Sequence, residues 1–220
     1  MSALLSAGPF SARNGEGKTL FEDVAVELDA GELVVLEGPS GSGKSRLLRQ
    51  LVGLDSVEGV ERELLGDAYS ASGLPGWRSR VTLVAQDAPM LAGSVGDNLS
   101  FPFALRAAAG RSAADGRRAE LLAAVGLDAI PEQRDVSTLS GGERHRLALV
   151  RGLLWDPPVL VADEPLSGLD DDRAAACFEL LADAAHRSDH AVLCVVHDQD
   201  LARRADRRLR LAGGEMRRDT

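Results

Sequence analysis

A glycine-rich loop between an apolar run and a helical stretch is the feature of this chain that most constrains its fold. Residues 32–37, ELVVLE, form a short apolar run that is typical of a buried parallel strand. Residues 38–45, GPSGSGKS, follow at once, and leucines at helical spacing continue from there to Val52. The order of strand, glycine loop and helix predicts an α/β core whose loop binds phosphate groups at the start of the helix.

This loop fits the pattern G-x-x-x-x-G-K-[ST] in full. Its glycines allow backbone N–H groups to converge on phosphate oxygens, and the helix N-terminus adds partial positive charge. We expect Lys44 to bridge the β- and γ-phosphates of a nucleotide and Ser45 to give its hydroxyl to Mg²⁺. The loop alone does not distinguish a kinase, a GTPase and an ATPase. The residues that we assign to nucleotide binding are Gly38, Pro39, Ser40, Gly41, Ser42, Gly43, Lys44 and Ser45.

Composition limits the partners that such a core can have. The chain has 220 residues, which suggests one domain, and its formal net charge of −9 argues against nucleic acid as the main partner. Cys177 and Cys194 show no metal-ligand spacing, so we expect free thiols in a reducing compartment. No stretch approaches the ~18–20 consecutive apolar residues of a membrane helix, so a role in transport would need a membrane path from another polypeptide.

Polar residues follow three further apolar runs that we predict to be strands. Asp163 can hold Mg²⁺, and Glu164 can orient or deprotonate an attacking water. Gln86 can reach Mg²⁺ or that water, and His197 can contact a γ-phosphate. Taken singly, each of them is also an ordinary polar residue at the end of a strand. Ligands of open α/β sheets bind at the carboxyl ends of the strands, so the four together favour a functional site.

A second glycine-containing segment, residues 139–143, LSGGE, precedes a helical stretch. Ser140 with Glu143 three residues later fits a capping box, which is a sufficient structural reason for both residues. A cap does not need Gly141 and Gly142, which weaken a first helical turn, so the pair indicates that the backbone approaches an anion closely. One nucleotide does not need two phosphate-binding segments in a small domain. This favours two half-sites, each completed by a second copy or a paralogue.

Together these motifs resemble the ATP-binding subunits of ABC transporters. They occur in the family's order over nearly the whole chain: Walker A at 38–45, the Q-loop at Gln86, the signature at 139–143, Walker B at 159–164, the D-loop at 167–170 and the switch histidine at His197. The resemblance implies an α/β fold, with a RecA-like P-loop NTPase core, an antiparallel β subdomain and an inserted α-helical subdomain. It implies one domain, 1–220, with the core and β subdomain in 1–88 and 156–220 and the helical subdomain, which carries the signature, in 89–155.

The resemblance also implies how ATP is bound and hydrolysed. Each ATP, with Mg²⁺, would lie between the glycine loop of one copy and the signature of another in an ATP-dependent, head-to-tail dimer. The intact motifs favour a homodimer. The catalytic residues would be Glu164, His197, Gln86 and Lys44, and the Mg²⁺ ligands would be Ser45, Gln86 and Asp163. Residues of the signature that would bind the partner's nucleotide are Ser140, Gly141, Gly142 and Glu143, and Asp170 would face across the interface.

Two positions near the nucleotide depart from the family pattern. The aromatic residue that usually stacks on adenine has no counterpart at residues 11–15, where Arg13 could stack by its guanidinium plane. Arg46 stands where the family commonly has threonine. We expect its backbone N–H to bind phosphate and its charge to contact the α-phosphate.

A partner in the membrane is a further implication of the resemblance. The ATPase would be peripheral, at the cytoplasmic face of the cell membrane, and would power transport through an integral membrane permease subunit. Residues 93–99 are similar to exporter-type subunits, and residues 100–106 resemble iron-export ATPases of the FetA/YbbL type, which makes metal (iron) export a candidate activity. Phe101, Phe103 and Leu105 form either a docking patch for the partner or part of the core.

Two other classes of protein are open alternatives. A soluble ABC-type ATPase that acts on nucleic acid or ribosomes usually carries a coiled-coil insertion, a tandem cassette or a zinc module, and this acidic chain has none. A P-loop kinase would need an acceptor-substrate pocket and would leave residues 140–142 unexplained. A basic run also has two interpretations, contact with anionic lipid or a solvated helix face; its members are Arg203, Arg204, Arg207 and Arg208.

Overall fold

A computed structural model of the protein describes residues 3–69, 73–87, 89–108, 110–114 and 116–219. The strands are β1 (Leu5–Arg13), β2 (Thr19–Leu28), β3 (Glu32–Glu37), β4 (Glu61–Leu64), β5 (Asp67–Ala68), β6 (Val81–Val84), β7 (Val159–Ala162), β8 (Ala191–Cys194), β9 (Arg207–Ala212) and β10 (Glu215–Asp219). The α-helices are α1 (Lys44–Leu51), α2 (Leu74–Arg80), α3 (Val95–Ala104), α4 (Arg117–Ala124), α5 (Gly141–Trp155), α6 (Asp171–Ala185) and α7 (Gln199–Ala202). Short 3₁₀ turns cover Arg106–Ala108 and Val136–Thr138.

A six-stranded sheet with the order β10-β9-β3-β8-β7-β6 forms the centre of the fold. The strands from β9 to β6 run parallel to one another, and β10 at the edge is antiparallel to β9. Both faces of the sheet are covered, which is why β3, β7 and β8 are almost continuously apolar. Along β3, Leu33 and Val35 join one hydrophobic cluster, while Val34 and Leu36 join the other. The α/β core predicted from the sequence is therefore confirmed.

Helices α3, α4 and α5 lie between β6 and β7 in the chain and pack with α6 on one face of this sheet. Leu99, Leu121 and Phe178 contribute to the same buried cluster from α3, α4 and α6. Gly152 of α5 allows a close approach, because a Cβ atom there would lie 2.7 Å from Val84 Cγ2. Helices thus occur where the sequence predicted a helical subdomain, and the boundaries of that subdomain at 89 and 155 stay a prediction.

A smaller sheet with the order β2-β1-β4-β5 lies on the opposite side of the core, together with α1. Its strand β1 pairs antiparallel with both β2 and β4. Phe10, Phe21 and Leu47 are completely buried in the cluster that this sheet shares with α1 and the central sheet. This is the antiparallel β unit that the family resemblance implies.

The two cysteines are buried in the core around the central sheet. Cys177 lies in α6 and Cys194 in β8, and both thiols are free. Burial raises the pKa of Cys177 to about 11 and that of Cys194 to about 12. Both side chains therefore carry neutral thiols at physiological pH.

The basic run near the C-terminal end is bound to acidic residues. Arg203 and Arg204 follow α7, whereas Arg207 and Arg208 open β9, so the interpretation as one helix face is wrong. Each member lies against a carboxylate: Arg203 against Asp200, Arg204 against Glu179, Arg207 against Glu32 and Arg208 against Glu37. These pairs reduce the positive charge that the run offers to an anionic surface. Over the described ranges, no helix is long and apolar enough to cross a bilayer.

Candidate functional site

The glycine loop closes around the side chain of Lys44. Lys44 is only 8% exposed, and its Nζ donates hydrogen bonds to the carbonyl oxygens of Gly38 (2.8 Å) and Pro39 (3.2 Å). Gly38 has a φ of +152°, and a Cβ atom there would lie 2.2 Å from the carbonyl oxygen of Leu211. Glycine is required at this position on both grounds. The ammonium is therefore held inside a preformed loop, where an anion can compete for it.

Helix α1 begins with backbone N–H groups that no helical carbonyl can satisfy. The first bond into the helix runs from Leu47 N to Gly43 O (2.8 Å), and Gly43 supplies no side-chain cap. The N–H groups of Lys44, Ser45 and Arg46 precede that bond, so they are available to an anion at the helix start. This geometry fits the triphosphate site that the sequence predicts.

The guanidinium of Arg46 forms an ion pair with Asp55. Its Nη1 lies 3.3 Å from Asp55 Oδ2, and Arg49 of the same helix binds that carboxylate as well. The contact that the sequence predicts between the Arg46 charge and the α-phosphate stays a prediction. Helical periodicity does not predict the ion pair with Asp55, because Asp55 lies beyond the end of α1 and approaches the helix only through the turn that follows it. Binding of phosphate by the Arg46 backbone N–H stays a prediction.

Three strand ends meet at the carboxylate of Glu164. Gln86 Nε2 donates a hydrogen bond to Glu164 Oε2 (2.7 Å), and His197 Nε2 lies 2.8 Å from Glu164 Oε1. Glu164 has a φ of +50°, a left-handed conformation that is uncommon for a residue with a Cβ atom. Such a conformation costs about 1–3 kcal/mol and is concentrated at functional sites. The structure therefore brings together three of the four predicted catalytic residues, and Lys44 lies in the loop at the same sheet edge.

Asp163, one residue earlier, provides a candidate Mg²⁺ ligand. It is 6% exposed, and its Oδ1 has no hydrogen-bond partner. Burial raises the pKa of Asp163 above its ordinary value of 3.8, and a hydrogen bond from the Ser45 hydroxyl acts in the opposite direction. A buried carboxylate oxygen without a partner is unfavourable, and a hard cation would relieve it. Asp163 and Ser45 therefore fit Mg²⁺.

The described ranges contain no group of three or more His, Cys, Asp or Glu side chains that could hold a metal ion. Mg²⁺ commonly binds through one or two protein oxygens together with phosphates and water. Gln86, the third predicted Mg²⁺ ligand, instead donates its amide to Glu164. The amide oxygen of Gln86 as a metal ligand stays a prediction.

The signature segment begins helix α5 with a complete capping box. Ser140 N donates to Glu143 Oε2 (2.7 Å), and Glu143 N donates to Ser140 Oγ (3.2 Å). The Ser140 N–H holds the pKa of the Glu143 carboxyl below its ordinary value of 4.5. A Cβ atom on Gly141 would meet nothing within 4 Å, and one on Gly142 would make only ordinary contacts, the nearest with Arg146 Nη1 (3.5 Å). Packing within the chain therefore does not explain this pair of glycines.

Asp170 serves as the N-cap of α6. Its carboxylate accepts a hydrogen bond from Arg173 N (3.0 Å) and pairs with the guanidinium of the same arginine. The side chain is about half exposed, at 53%. Its predicted contact across a dimer interface stays a prediction.

The region predicted to hold the base of the nucleotide forms a polar cavity of about 480 Å³ beside α1. Arg13 lines it, but its Nη1 donates a hydrogen bond to Gly17 O (3.2 Å) within the turn that joins β1 and β2. Phe21 also lines the cavity but is completely buried. Stacking of Arg13 on adenine stays a prediction.

An apolar groove of about 540 Å³ lies next to the segment that follows Gln86. Leu91, Phe101 and Leu105 line this groove and are 41%, 39% and 45% exposed. Phe103 is different, because it packs on the core with its ring centroid 6.0 Å from that of Trp155. The predicted patch therefore divides into two groove residues, Phe101 and Leu105, and one core residue.

The wall of this groove is tied to α3 and α5 by a residue that sequence reasoning missed. Asn98 is completely buried, and its amide bonds to Leu91 N, Leu91 O and Ser94 O. Arg151 of α5 donates to Asn98 Oδ1 (3.3 Å) and to Pro89 O (2.8 Å). A readable signal existed, because Ser94 and Asp97 form a capping box that marks the start of α3.

The profile of the ABC transporter family matches residues 21–167, which is more than half of the chain. The chain belongs to the ABC transporter family. This ABC protein is 36% identical over 206 residues to the lipoprotein-releasing system ATP-binding protein LolD of Chromohalobacter salexigens, covering 91% of this chain and 86% of LolD. It is 37% identical over 186 residues to the aliphatic sulfonates import ATP-binding protein SsuB 2 of Burkholderia cenocepacia, covering 84% and 65%. It is 37% identical over 198 residues to the Fe(3+) ions import ATP-binding protein FbpC of Streptomyces coelicolor, covering 90% and 56%.

Solved structures agree with this family. A dimeric post-hydrolysis structure of the ATP-binding cassette MJ0796, bound to ADP and Pi, matches with a TM-score of 0.83 and 26% identity, covering 98% of both chains. A bacterial Atm1-family ABC exporter with ATP bound matches with a TM-score of 0.81 and 22% identity, covering 98% of this chain and 38% of the exporter, and supports the fold. The protein is thus an ATP-binding ABC transporter subunit with a P-loop NTPase fold, and it hydrolyses ATP.

Proposed function

We propose that this ABC ATPase works at the cytoplasmic face of the cell membrane as an ATP-dependent, head-to-tail homodimer that powers transport through a separate permease. The observation that carries the proposal is the convergence on Glu164. A single carboxylate, held by Gln86 on one oxygen and His197 on the other, lies at the same sheet edge as the Lys44 loop. That is the arrangement needed to orient a water toward a γ-phosphate.

Each residue of the site has a distinct role in the reaction. Lys44 exchanges its two loop carbonyls for phosphate oxygens when ATP enters, and the free N–H groups at the start of α1 bind the remaining oxygens. Asp163 and Ser45 would hold Mg²⁺, which offsets the negative charge of the phosphates. Glu164 accepts a proton from the attacking water, and His197 keeps the carboxylate in line and contacts the γ-phosphate. Gln86 responds to the γ-phosphate because it is hydrogen-bonded to the carboxylate of Glu164.

The second half of the site would come from another copy of the chain. Gly141 and Gly142 have no steric reason within their own chain to be glycine, but a phosphate that approaches the backbone at the start of α5 would require it. Ser140 keeps its hydroxyl at that helix start as a cap. ATP bound to the loop of one copy would thus close the dimer by contact with the signature of the other. Asp170, at the start of α6, would lie at the same interface.

A helix of the permease would bind in the apolar groove. Its exposed wall is formed by Leu91, Phe101 and Leu105, and the segment that carries Leu91 begins at Gln86. A helix of the permease that presents apolar side chains would cover this surface. Movement of the bound permease helix would displace this segment and Gln86, which is hydrogen-bonded to Glu164 at the nucleotide site.

Substitution of Glu164 by glutamine tests the proposed site. Glutamine keeps the shape but cannot accept a proton, so we expect kcat to fall by at least about 100-fold while the affinity for ATP changes by less than about threefold. With ATP and Mg²⁺, the variant should elute as a dimer. Glu61→Gln, an exposed change on β4, is the matched control and should behave as the parent. Hydrolysis by Glu164→Gln at the parental rate would refute the assignment.

Isolation of partners from membranes tests the transport role and separates it from the alternative class. We expect the tagged protein to purify with a polytopic membrane protein and expect Leu105→Glu to weaken that association, because it places a charge in the groove. Purification with ribosomes or DNA instead would support a soluble ABC ATPase.

For the cargo, we propose iron export on the basis of residues 100–106. The relatives reported above are named for lipoproteins, aliphatic sulfonates and Fe(3+), so the cargo needs its own test. ATP-dependent movement of iron by the ATPase and its permease in sealed vesicles would support iron. Movement of another class of solute, with iron left in place, would refute it.

A further inference from the structure

A buried carboxylate connects the glycine loop to the segment that carries His197. Glu37 is the last residue of β3, directly before the loop, and is 8% exposed. Its Oε1 accepts a hydrogen bond from Gln199 Nε2 (2.9 Å), and its Oε2 lies 3.8 Å from Arg208 Nη1. Gln199 is the first residue of α7 and stands two positions after His197. The link therefore joins two strand ends that contribute different catalytic groups.

A carboxylate in this position needs partners, since burial of an unpaired charge is strongly unfavourable. Arg208 supplies the charge, and Gln199 supplies a directed hydrogen bond. Glu37 is also the residue that precedes Gly38, whose carbonyl holds Lys44. The last residue of β3 is thus held by side chains of α7 and β9, which lie outside the glycine loop.

The segment that carries His197 is packed into the core on either side, by Val195 and Val196 and by Leu201 and Ala202 of α7, whereas residues 197–199 are exposed. It leaves β8 at Cys194, with Val195 N bonded to Ala162 O (2.9 Å), and enters α7 at Gln199. Helix α7 is a single turn of four residues, too short to be stable without tertiary contacts. Asp198 caps it from within, whereas the Gln199–Glu37 hydrogen bond connects its first residue to the central sheet.

We propose that Glu37 and Gln199 are positioning residues that hold His197 at a fixed distance from the phosphate loop. Their role requires no contact with the nucleotide or the attacking water, and they act through the backbone of residues 197–199. Loss of the link leaves the loop and the affinity for ATP intact but lets His197 move away from Glu164. The proposal rests on the role proposed above for His197.

Gln199→Ala is the main test, carried out on the full chain with ATP and Mg²⁺. Gln199 is exposed, so its truncation leaves the fold intact. We expect kcat to fall about tenfold with KM for ATP within about twofold, because small misplacements of a catalytic group are costly to the rate but not to binding.

Glu32→Gln is the matched control. Glu32 begins β3 and forms an ion pair with Arg207 of β9, at 2.6 Å on each oxygen, with both side chains 13% exposed. This substitution weakens an ion pair between β3 and β9 at the opposite end of β3 from Glu37. We expect it to lower thermal stability and leave kcat unchanged. Equal loss of kcat in Glu32→Gln and Gln199→Ala would show a general effect of sheet stability and would overturn the proposal.

A double-mutant cycle with His197→Ala separates positioning from a structural effect. If Gln199 acts through His197, Gln199→Ala should change the residual rate of His197→Ala by less than about 1.5-fold, since coupled residues are not additive. The imidazole NMR resonances of His197 should shift in Gln199→Ala and not in Glu32→Gln, and this readout does not depend on turnover. Unshifted resonances, or an undiminished tenfold effect in the His197→Ala background, would overturn the proposal. Full activity in both Glu164→Gln and His197→Ala would instead refute the proposed function.

Discussion

Replacement of Asn98 by alanine should destabilise the protein far more than an ordinary change on helix α3. The Asn98 side chain takes part in four hydrogen bonds while completely buried, with Leu91 N, Leu91 O, Ser94 O and Arg151 Nη1. Alanine has a good helix propensity, so the helix itself gains slightly from the change. The loss of stability therefore comes from the four hydrogen bonds of the Asn98 side chain, which lie between the groove wall and α5.

The expected loss follows from the number of these bonds. An intramolecular hydrogen bond contributes about 1 kcal/mol net, so four bonds are worth about 4 kcal/mol. Water can reach part of the segment at Leu91, which is 41% exposed, and this recovers some of the loss. We expect the free energy of unfolding to fall by about 3 kcal/mol, which corresponds to a decrease of about 6–12 °C in Tm for a domain of this size.

Urea denaturation and calorimetry, each without nucleotide, measure this effect. Ser100→Ala is the control on the same helix: Ser100 is exposed, and its Oγ accepts one hydrogen bond, from Arg118 Nη2 (3.0 Å). That variant should lose about 0.5 kcal/mol or less. A loss below about 1 kcal/mol in Asn98→Ala, with an unchanged m-value, would refute the inference that these bonds hold the segment in place.

Two further predictions concern helix α5. Gly152→Ala should lower the free energy of unfolding by about 1–3 kcal/mol in urea denaturation, because its Cβ would lie 2.7 Å from Val84 Cγ2; a gain in stability would show that Val84 moves aside without cost. Because the folded-state pKa of Glu143 is lowered below 4.5, its carboxylate stabilises the start of α5 at neutral pH, and this contribution is lost as the pH falls through the lowered value. The stability difference between the parent and Glu143→Gln should therefore shrink on acidification, and a difference that stays constant from pH 7 to acid would contradict it.

The sequence predicted best the elements whose pattern is local. Helix α5 begins directly after its cap, Ser140, as the capping-box pattern predicted. Strands β3 and β7 are apolar on both faces, so a short hydrophobic run sufficed to identify them. The alignment of parallel strands then predicted that polar residues at their ends share one edge of the sheet.

Contacts between distant segments escaped prediction. The ion pair of Arg46 with Asp55 and the packing of Phe103 on Trp155 were not predicted, because these partners meet only in the folded chain. Strand β9 begins with Arg207 and Arg208, so its start shows no apolar run that would predict a strand. In the folded chain these two arginines pair with Glu32 and Glu37 of β3. The hydrogen bond from Gln86 to Glu164 depends on side-chain geometry, which a motif does not encode.

The burial of both native thiols makes the protein convenient for site-specific labelling. Maleimides react with the thiolate, and Cys177 and Cys194 stay protonated in the core because burial raises each pKa to about 11 or 12. A single cysteine introduced at an exposed site such as Phe101 would therefore be the reactive one, with the native pair left in place. A fluorophore attached there would report directly on what enters and leaves the groove.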